Sequence, residues 1–367
     1  MIYEEFRTLL PAETQDLILD SLRNNTIGDS YRVGGVDGDN LYPAYSNAWL
    51  MRTVVTSWTG QTLNDRNMTE AGNNDAQAFL DLFERNKTLS EFNGPTYAGV
   101  SIYALTIAAK YVKSTIGHRA GDLVQSIWEY EAELWNPNMR NFAGPWDRSY
   151  GYDMNQYVAI MSIWIWTLLG REHAFTTGPA WSLSHAGDFQ IAPVIAALAD
   201  FHKTLVPGRV VDRLTSFSEH TYTGQAYAPP ADLEPRNITT WLSKDLAIGA
   251  FSFNQTTLGG FSEDPSSFSP AVVQWMRSDE SIGYLSLYPA ETALKADVAP
   301  NALNLTYPLG NASSTFTFVL AANPLGKKRD ITSLDDVDGV DIKVGGSVDP
   351  TPEISFCGLL GGCEVIQ

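Results

Sequence analysis

Val206-Pro207-Gly208 marks the point where the chain changes its hydrophobic period, and that change decides the fold class. Before it, apolar residues recur three and four positions apart. Ala12–Arg23 brings Leu17, Ile18 and Leu22 close to one face, and Ala48–Leu63, Asp75–Phe83, Tyr97–Lys113, Asp122–Trp135, Asp153–Leu169 and Ile191–Leu205 repeat the spacing. The connectors carry stop signals: Gly72-Asn73-Asn74, Gly94-Pro95, Asn136-Pro137, Gly144-Pro145 and Gly178-Pro179. About seven helices joined as antiparallel hairpins are expected. After the switch come short β-branched and aromatic runs between turn clusters: Thr239–Phe253, Ala271–Met276, Ile282–Leu287, Thr315–Ala321 and Val340–Val344. A block of helices followed by a block of strands is an α+β pattern with no βαβ alternation. Residues 1–205 read as a helical domain and 206–367 as an antiparallel β-sheet or sandwich domain, with the junction near 205–225.

The 367 residues, 44% of them hydrophobic, suffice for two domains and a large core. The net charge is −18, from 24 Lys+Arg against 42 Asp+Glu, with no cluster of basic residues, which speaks against nucleic acid as a partner. No apolar run reaches the roughly 18 residues of a membrane span. Asn24, Asn67, Asn86, Asn237, Asn254, Asn304 and Asn311 each open an Asn-x-Ser/Thr site. Seven exceed the roughly three that chance would supply, and they point to a secreted glycoprotein. Cys357 and Cys363, the only cysteines, lie in Cys-Gly-Leu-Leu-Gly-Gly-Cys, whose glycines let the backbone fold back into a small terminal disulfide. Met1-Ile2-Tyr3-Glu4-Glu5 has neither the basic nor the apolar region of a signal segment, so the secretion reading requires a leader removed ahead of this start.

Chemistry concentrates in two Pro/Gly-punctuated loops. Gly144-Pro145-Trp146-Asp147-Arg148-Ser149-Tyr150-Gly151-Tyr152-Asp153 packs an arginine, two tyrosines and two carboxylates into ten residues, and irregular backbone of this kind sits at the surface, where its polar groups are satisfied. Glu91-Phe92-Asn93-Gly94-Pro95-Thr96-Tyr97 opens a helix, with Asn93 able to serve as cap, as functional group, or both. Arginine offers a fork for a carboxylate and tyrosine a phenol that moves a proton. Among the five histidines, His185 in a polar loop is the first candidate and His220 at the junction the reserve; His118, His173 and His202 read as surface residues. There is no nucleophile elbow, phosphate loop, dinucleotide fingerprint or zinc motif, so neither cofactor nor metal is expected. The acidic stretch Asp335–Asp341 reads as a solvated turn, because Leu334 falls where a calcium loop needs its first carboxylate.

The two loops resemble those of toroidal polysaccharide lyases, glucuronan-lyase-like proteins above all, over about twenty residues. The resemblance implies an incomplete (α/α) toroid followed by the antiparallel β-domain, and cleavage of an acidic polysaccharide by β-elimination. Carried over, it implies that Asn93 and His185 neutralise or orient the uronate carboxylate, Tyr150 transfers the proton, and Arg148 holds substrate or Tyr150. Tyr97, Tyr152, Asp153 and His220 join as substrate-binding residues. Similar loops carry histidine where this chain has Trp146, which becomes a sugar-stacking platform. Two other classes fit the residues alone. An inverting glycoside hydrolase needs two carboxylates about 6.5–9.5 Å apart, with Glu91, Asp147, Asp153 and Asp188 as candidates. A carbohydrate-binding protein would use Trp128, Trp135, Trp146 and Trp181.

Overall fold

A computed structural model describes residues 1–28, 31, 41–154, 159–173, 186–260, 268–278, 280–321, 337 and 339–349. Helices come first: α1 (Ile2–Phe6), α2 (Ala12–Gly28), α3 (Ser46–Leu63), α4 (Arg66–Asn86), α5 (Pro95–Tyr111), α6 (Thr115–Leu134), α7 (Ile160–Leu169), α8 (Ala192–Leu205) and α9 (Gly208–Thr215). They stack in two layers. α3, α5 and α7 are buried around most of their circumference and pack in series, α5 against both α3 and α7. α4, α6 and α8 carry one apolar face each and cover them, as their one-sided patterns require.

Several expected boundaries move. Gly72-Asn73-Asn74 lies inside α4 and does not end a helix. Gly72 is there for close packing: a Cβ on it would stand 2.4 Å from the Ser57 hydroxyl of α3. The helix begins instead at Arg66, where the Asp65 carboxylate accepts from Met68 N at 3.1 Å. Asp153 does not open a helix, since α7 starts at Ile160. Pro207 and Gly208 restart a helix rather than ending the helical half, because α9 buries Val210 and Leu214. A two-residue hairpin, β1 (Trp135–Asn136) with β2 (Asn141–Phe142), also interrupts the helices. His202 is not a surface residue. It is fully buried, accepts from Trp128 Nε1 at 2.9 Å and meets Thr106 Oγ1 at 2.8 Å, and burial pushes its pKa down to about 3.

The strands follow: β3 (His220–Ala226), β4 (Arg236–Leu242), β5 (Leu246–Asn254), β6 (Ala271–Met276), β7 (Ile282–Tyr288), β8 (Ala293–Ala299), β9 (Ala302–Thr306) and β10 (Thr317–Ala321). All pair antiparallel in the order β10-β7-β6-β5-β4-β3, with β8 on the end of β5 and β9 on β8. Among the described residues the sheet does not close into a barrel. Thr239–Phe253 is therefore a hairpin and not one strand. Val340–Val344 forms no strand; Ile342 and Val344 are exposed and pair with nothing among the described residues.

One continuous apolar core joins the helices to the sheet. Phe92, just ahead of α5, stacks on Tyr130 of α6 and Tyr222 of β3 at 5.3 and 6.4 Å, and meets Phe251 of β5 edge-on.

Candidate functional site

The two polar loops meet where α5 begins and the sheet passes beneath. Asn93 holds a left-handed φ of 50°, which turns its carboxamide so that Nδ2 donates to Ala143 O at 2.7 Å and Pro145 O at 3.0 Å. Asp147 N donates to Phe92 O at 3.1 Å. The sheet fixes the second loop from below: Thr240 Oγ1 donates to Gly144 O at 2.8 Å, and Trp146 and Ser269 exchange backbone bonds of 3.1 and 3.0 Å. That approach needs Gly249 on β5, since a Cβ there would stand 1.8 Å from Gly144 O. Arg236 of β4, fully buried, gathers the segments. It donates to the Asp147 carboxylate and to Ser90 O, and through Nε to Asp232 Oδ2 at 2.9 Å.

On this platform Arg148, Tyr45, Tyr97 and Tyr150 form the half-buried upper layer. Arg148 Nη1 donates to Tyr45 OH at 3.0 Å and lies 3.7 Å from Glu91 Oε1. Its guanidinium carbon sits 4.1 Å from the centre of the Tyr97 ring. The Tyr97 and Tyr150 hydroxyls share a short hydrogen bond. Burial works against the charge on Arg148, but Tyr97, Tyr45 and Glu91 outweigh it and hold the pKa above the ordinary value. Burial, then the bond to Tyr150, raises the pKa of Tyr97, against the pull of Arg148. Beneath them Glu91 is fully buried, its Oε2 accepting from Asn47 N at 3.0 Å and Asn47 Nδ2 at 2.8 Å. Burial pushes its pKa up to about 7, despite the Asn47 bonds and nearby Arg148. Arg148 Nε is buried without an acceptor, and Nη2 makes no hydrogen bond among the described residues. The group therefore presents a fixed cation beside two linked phenols.

The other expected residues fall as follows. Asn93 is wholly buried and its nitrogen is engaged by two carbonyls, so it fastens the loops; only its Oδ1, an acceptor, lacks a partner, and an acceptor cannot neutralise a carboxylate. Trp146 is completely buried and has no face for a sugar. Tyr152 OH bonds Ser269 and Ser286 hydroxyls at 2.7 and 3.0 Å, and Asp153 Oδ2 accepts from Ile282 N at 3.5 Å, so both serve the loop–sheet junction. His220 locks α6, α9 and β3 together through Arg213 and Glu133 O. Trp128 and Trp135 are core residues. His185, Trp181, Cys357 and Cys363 lie outside the described residues. The candidate glycosylation asparagines Asn24, Asn67, Asn237, Asn304 and Asn311 are exposed, Asn86 and Asn254 half-buried. Among the hydrolase carboxylates, Asp147 is tied to Arg236 and Asp188 accepts from Thr96 Oγ1 at 2.8 Å. No group of three or more metal-ligating side chains occurs among the described residues, and no helix there is long and apolar enough to cross a membrane.

Tyr45, Asn47 and Arg236 escaped the sequence reading. Tyr42-Pro43-Ala44-Tyr45-Ser46-Asn47 is a proline-punctuated, aromatic helix entry like Glu91–Tyr97, and that likeness could have found the first two. Arg236 carries no local signal.

No curated protein and no solved structure matches the chain. Residues 218–367, which hold the whole sheet, match the family described as Domain of unknown function (DUF8770). Residues 1–200, with both polar loops and most of the helices, match the model of a second family, and the chain thereby belongs to the family described as Domain of unknown function (DUF8769).

Proposed function

We propose that the protein is a secreted polysaccharide lyase that cleaves a uronic-acid polymer by β-elimination, its helices forming an incomplete (α/α) toroid beside the β-domain. The alternation of helices buried on most sides, α3, α5 and α7, with one-sided helices α4, α6 and α8 supports the toroid, because inner and outer rings differ in this way. The observation that carries the function is the Tyr97–Tyr150 phenol pair set against Arg148, whose guanidinium is itself held by Tyr45 and Glu91. Arg148 takes the uronate carboxylate, a part the buried Asn93 is not placed to play, and His185 is its proposed helper. Charge drawn from the carboxylate lowers the cost of removing the C5 proton. Tyr150, held through its hydroxyl by Tyr97, is the base and in its phenolate form accepts that proton. The C4–O4 bond breaks, a C4=C5 double bond forms, and the phenol returns the proton to the departing O4 oxygen.

A hydrolase reading draws on Glu91, whose carboxyl near pKa 7 suits a general acid, though it is buried beneath Arg148. Product chemistry separates the two. A panel of polyuronates is expected to yield unsaturated uronate, detected by its ultraviolet absorbance. Tyr150→Phe is expected to cut turnover by about 10²–10⁴-fold while the protein stays folded. Reducing sugar released from a neutral glycan, with no unsaturated product from any polyuronate, would hand the site to the hydrolase.

A further inference from the structure

A second polar concavity lies between the end of α4 and the edge of the sheet. It has a volume of about 480 Å³ and is lined by the side chains of Arg85, Asn86, Thr223, Gln225, Asn237 and Thr239, none of them a carboxylate. We propose that this groove is a distal subsite for the same polymer, with a uronate carboxylate on Arg85 and sugar hydroxyls on the amides; this rests on the lyase reading for its substrate class.

The strand register builds the array. Gln225 faces Asn237 and Thr223 faces Thr239 across β3 and β4, and alternation puts all four on one side of the sheet. Neighbours stand about 4.5–5.5 Å apart across the strands and about 7 Å apart along them, a grid of donors and acceptors suited to hydroxyl-rich rings. Asn86 Nδ2 donates to Gln225 Oε1 at 3.1 Å, and Gln225 Nε2 to Asn237 Oδ1 at 2.8 Å. This amide chain orients the groups and leaves Asn86 Oδ1 buried with no donor. A sugar hydroxyl would supply one. Arg85 makes no ion pair among the described residues, whereas its neighbour Glu84 is taken by Lys87 and Arg119. The Arg85 guanidinium carbon lies 5.5 Å from the Tyr227 ring, which limits its swing. In the last turn of α4 a cation also offsets the helix dipole. That role explains an arginine there but not the amide array beside it. Glu91 follows Asn86 by five positions, so their Cα atoms are at most about 18 Å apart; the groove lies on the face of β4 opposite Thr240 and the loop 143–148, so a polymer held at both sites passes around the edge strand β3.

Asn86 and Asn237 both head glycosylation sites, and a glycan on either would fill the groove. The subsite therefore requires both to be unmodified, and a glycan found on Asn86 or Asn237 in protein from its native host overturns it. The direct experiment uses unglycosylated full-length protein carrying Tyr150→Phe, so that ligand survives. The side-chain amide NMR signals of Asn86, Gln225 and Asn237 are followed against an oligoglucuronate and an equally long neutral β-glucan oligosaccharide. The acidic oligomer is expected to shift all three and to bind at least tenfold more tightly than the neutral one. Adding Arg85→Ala is expected to weaken it at least tenfold. In otherwise wild-type protein, Arg85→Ala should raise KM for polymer and leave kcat unchanged. Unmoved amides, or equal affinity with and without Arg85, overturns the subsite even if lyase activity is found. Shifted amides in a protein that cleaves no polyuronate retain the subsite and remove the lyase.

Discussion

At Asn93 one side chain in a left-handed turn holds two segments fifty residues apart. Asn93→Ala would leave Ala143 O and Pro145 O without that donor, at about 1–3 kcal/mol for each buried group left unpaired. Its denaturation midpoint should fall markedly, and Asn93→Asp should fall further because carboxylate oxygens would face carbonyl oxygens; an unchanged midpoint with a raised KM would return Asn93 to the substrate. Glu131 on α6 is a second buried group, with both carboxyl oxygens unbonded and a pKa that burial pushes up to about 8. Its folded pKa exceeds the unfolded value, so its contribution is fully present below about pH 4.5 and lost as pH rises through 8, by about 1.4 kcal/mol per unit across that window. Glu91 acts in the same sense up to about 7, and His202 in the opposite sense, its contribution present above about 6.5 and lost as pH falls through 3. Glu131→Met, matched in length and free of polar atoms, is expected to stabilise at pH 8 by about 2–4 kcal/mol and much less at pH 5. Urea midpoints across that range check it, and a pH slope equal to wild type would show that Glu131 is not held as a neutral acid. The aromatic and arginine content of the loops was legible in the sequence. The buried ties were not, since Arg236 and Asp147 lie 89 residues apart and neither carries a local pattern.

At the scale of the element, the loop 143–148 behaves as a strand fragment laid on the sheet, and Gly249 is the position on which that depends. Gly249→Ala would press a methyl group into Gly144 O. We expect a loss of about 1–3 kcal/mol and loss of activity together, because the displaced loop carries Arg148 and Tyr150. Wild-type stability in this variant, read by chemical denaturation, would mean that the loop lifts away at little cost. The helical period was legible for α2 to α8 because apolar residues on a helix face recur in sequence. Breakers were misread where they packed: Gly72 sits against α3, and Pro207-Gly208 opens α9. Alternation at Val340–Val344 suggested a strand, but a strand also needs a neighbour to bond, which a one-dimensional pattern does not contain. His202 looked ordinary for a similar reason, since its partners Trp128 and Thr106 come from two other helices.

At the scale of the whole molecule, the change of period at residue 206 suggested two domains, yet one core runs through both halves. Phe92 is stacked between α6 and β3, and the Arg236–Asp147 pair is buried where the sheet meets the helices. Calorimetry is therefore expected to show a single cooperative transition; two well-separated transitions would mean that each half holds its own core. The shared core also bears on time. A ribosome releases the helical half first, at about 5–20 residues per second, while Phe251, which meets Phe92, and Ser269, which bonds the backbone of Trp146, have not yet been made. For several seconds the nascent chain would hold Phe92 and the loop 143–148 without the sheet that packs on them, so translation that stalls near residue 215 should feed chaperones and proteases rather than leave a working half.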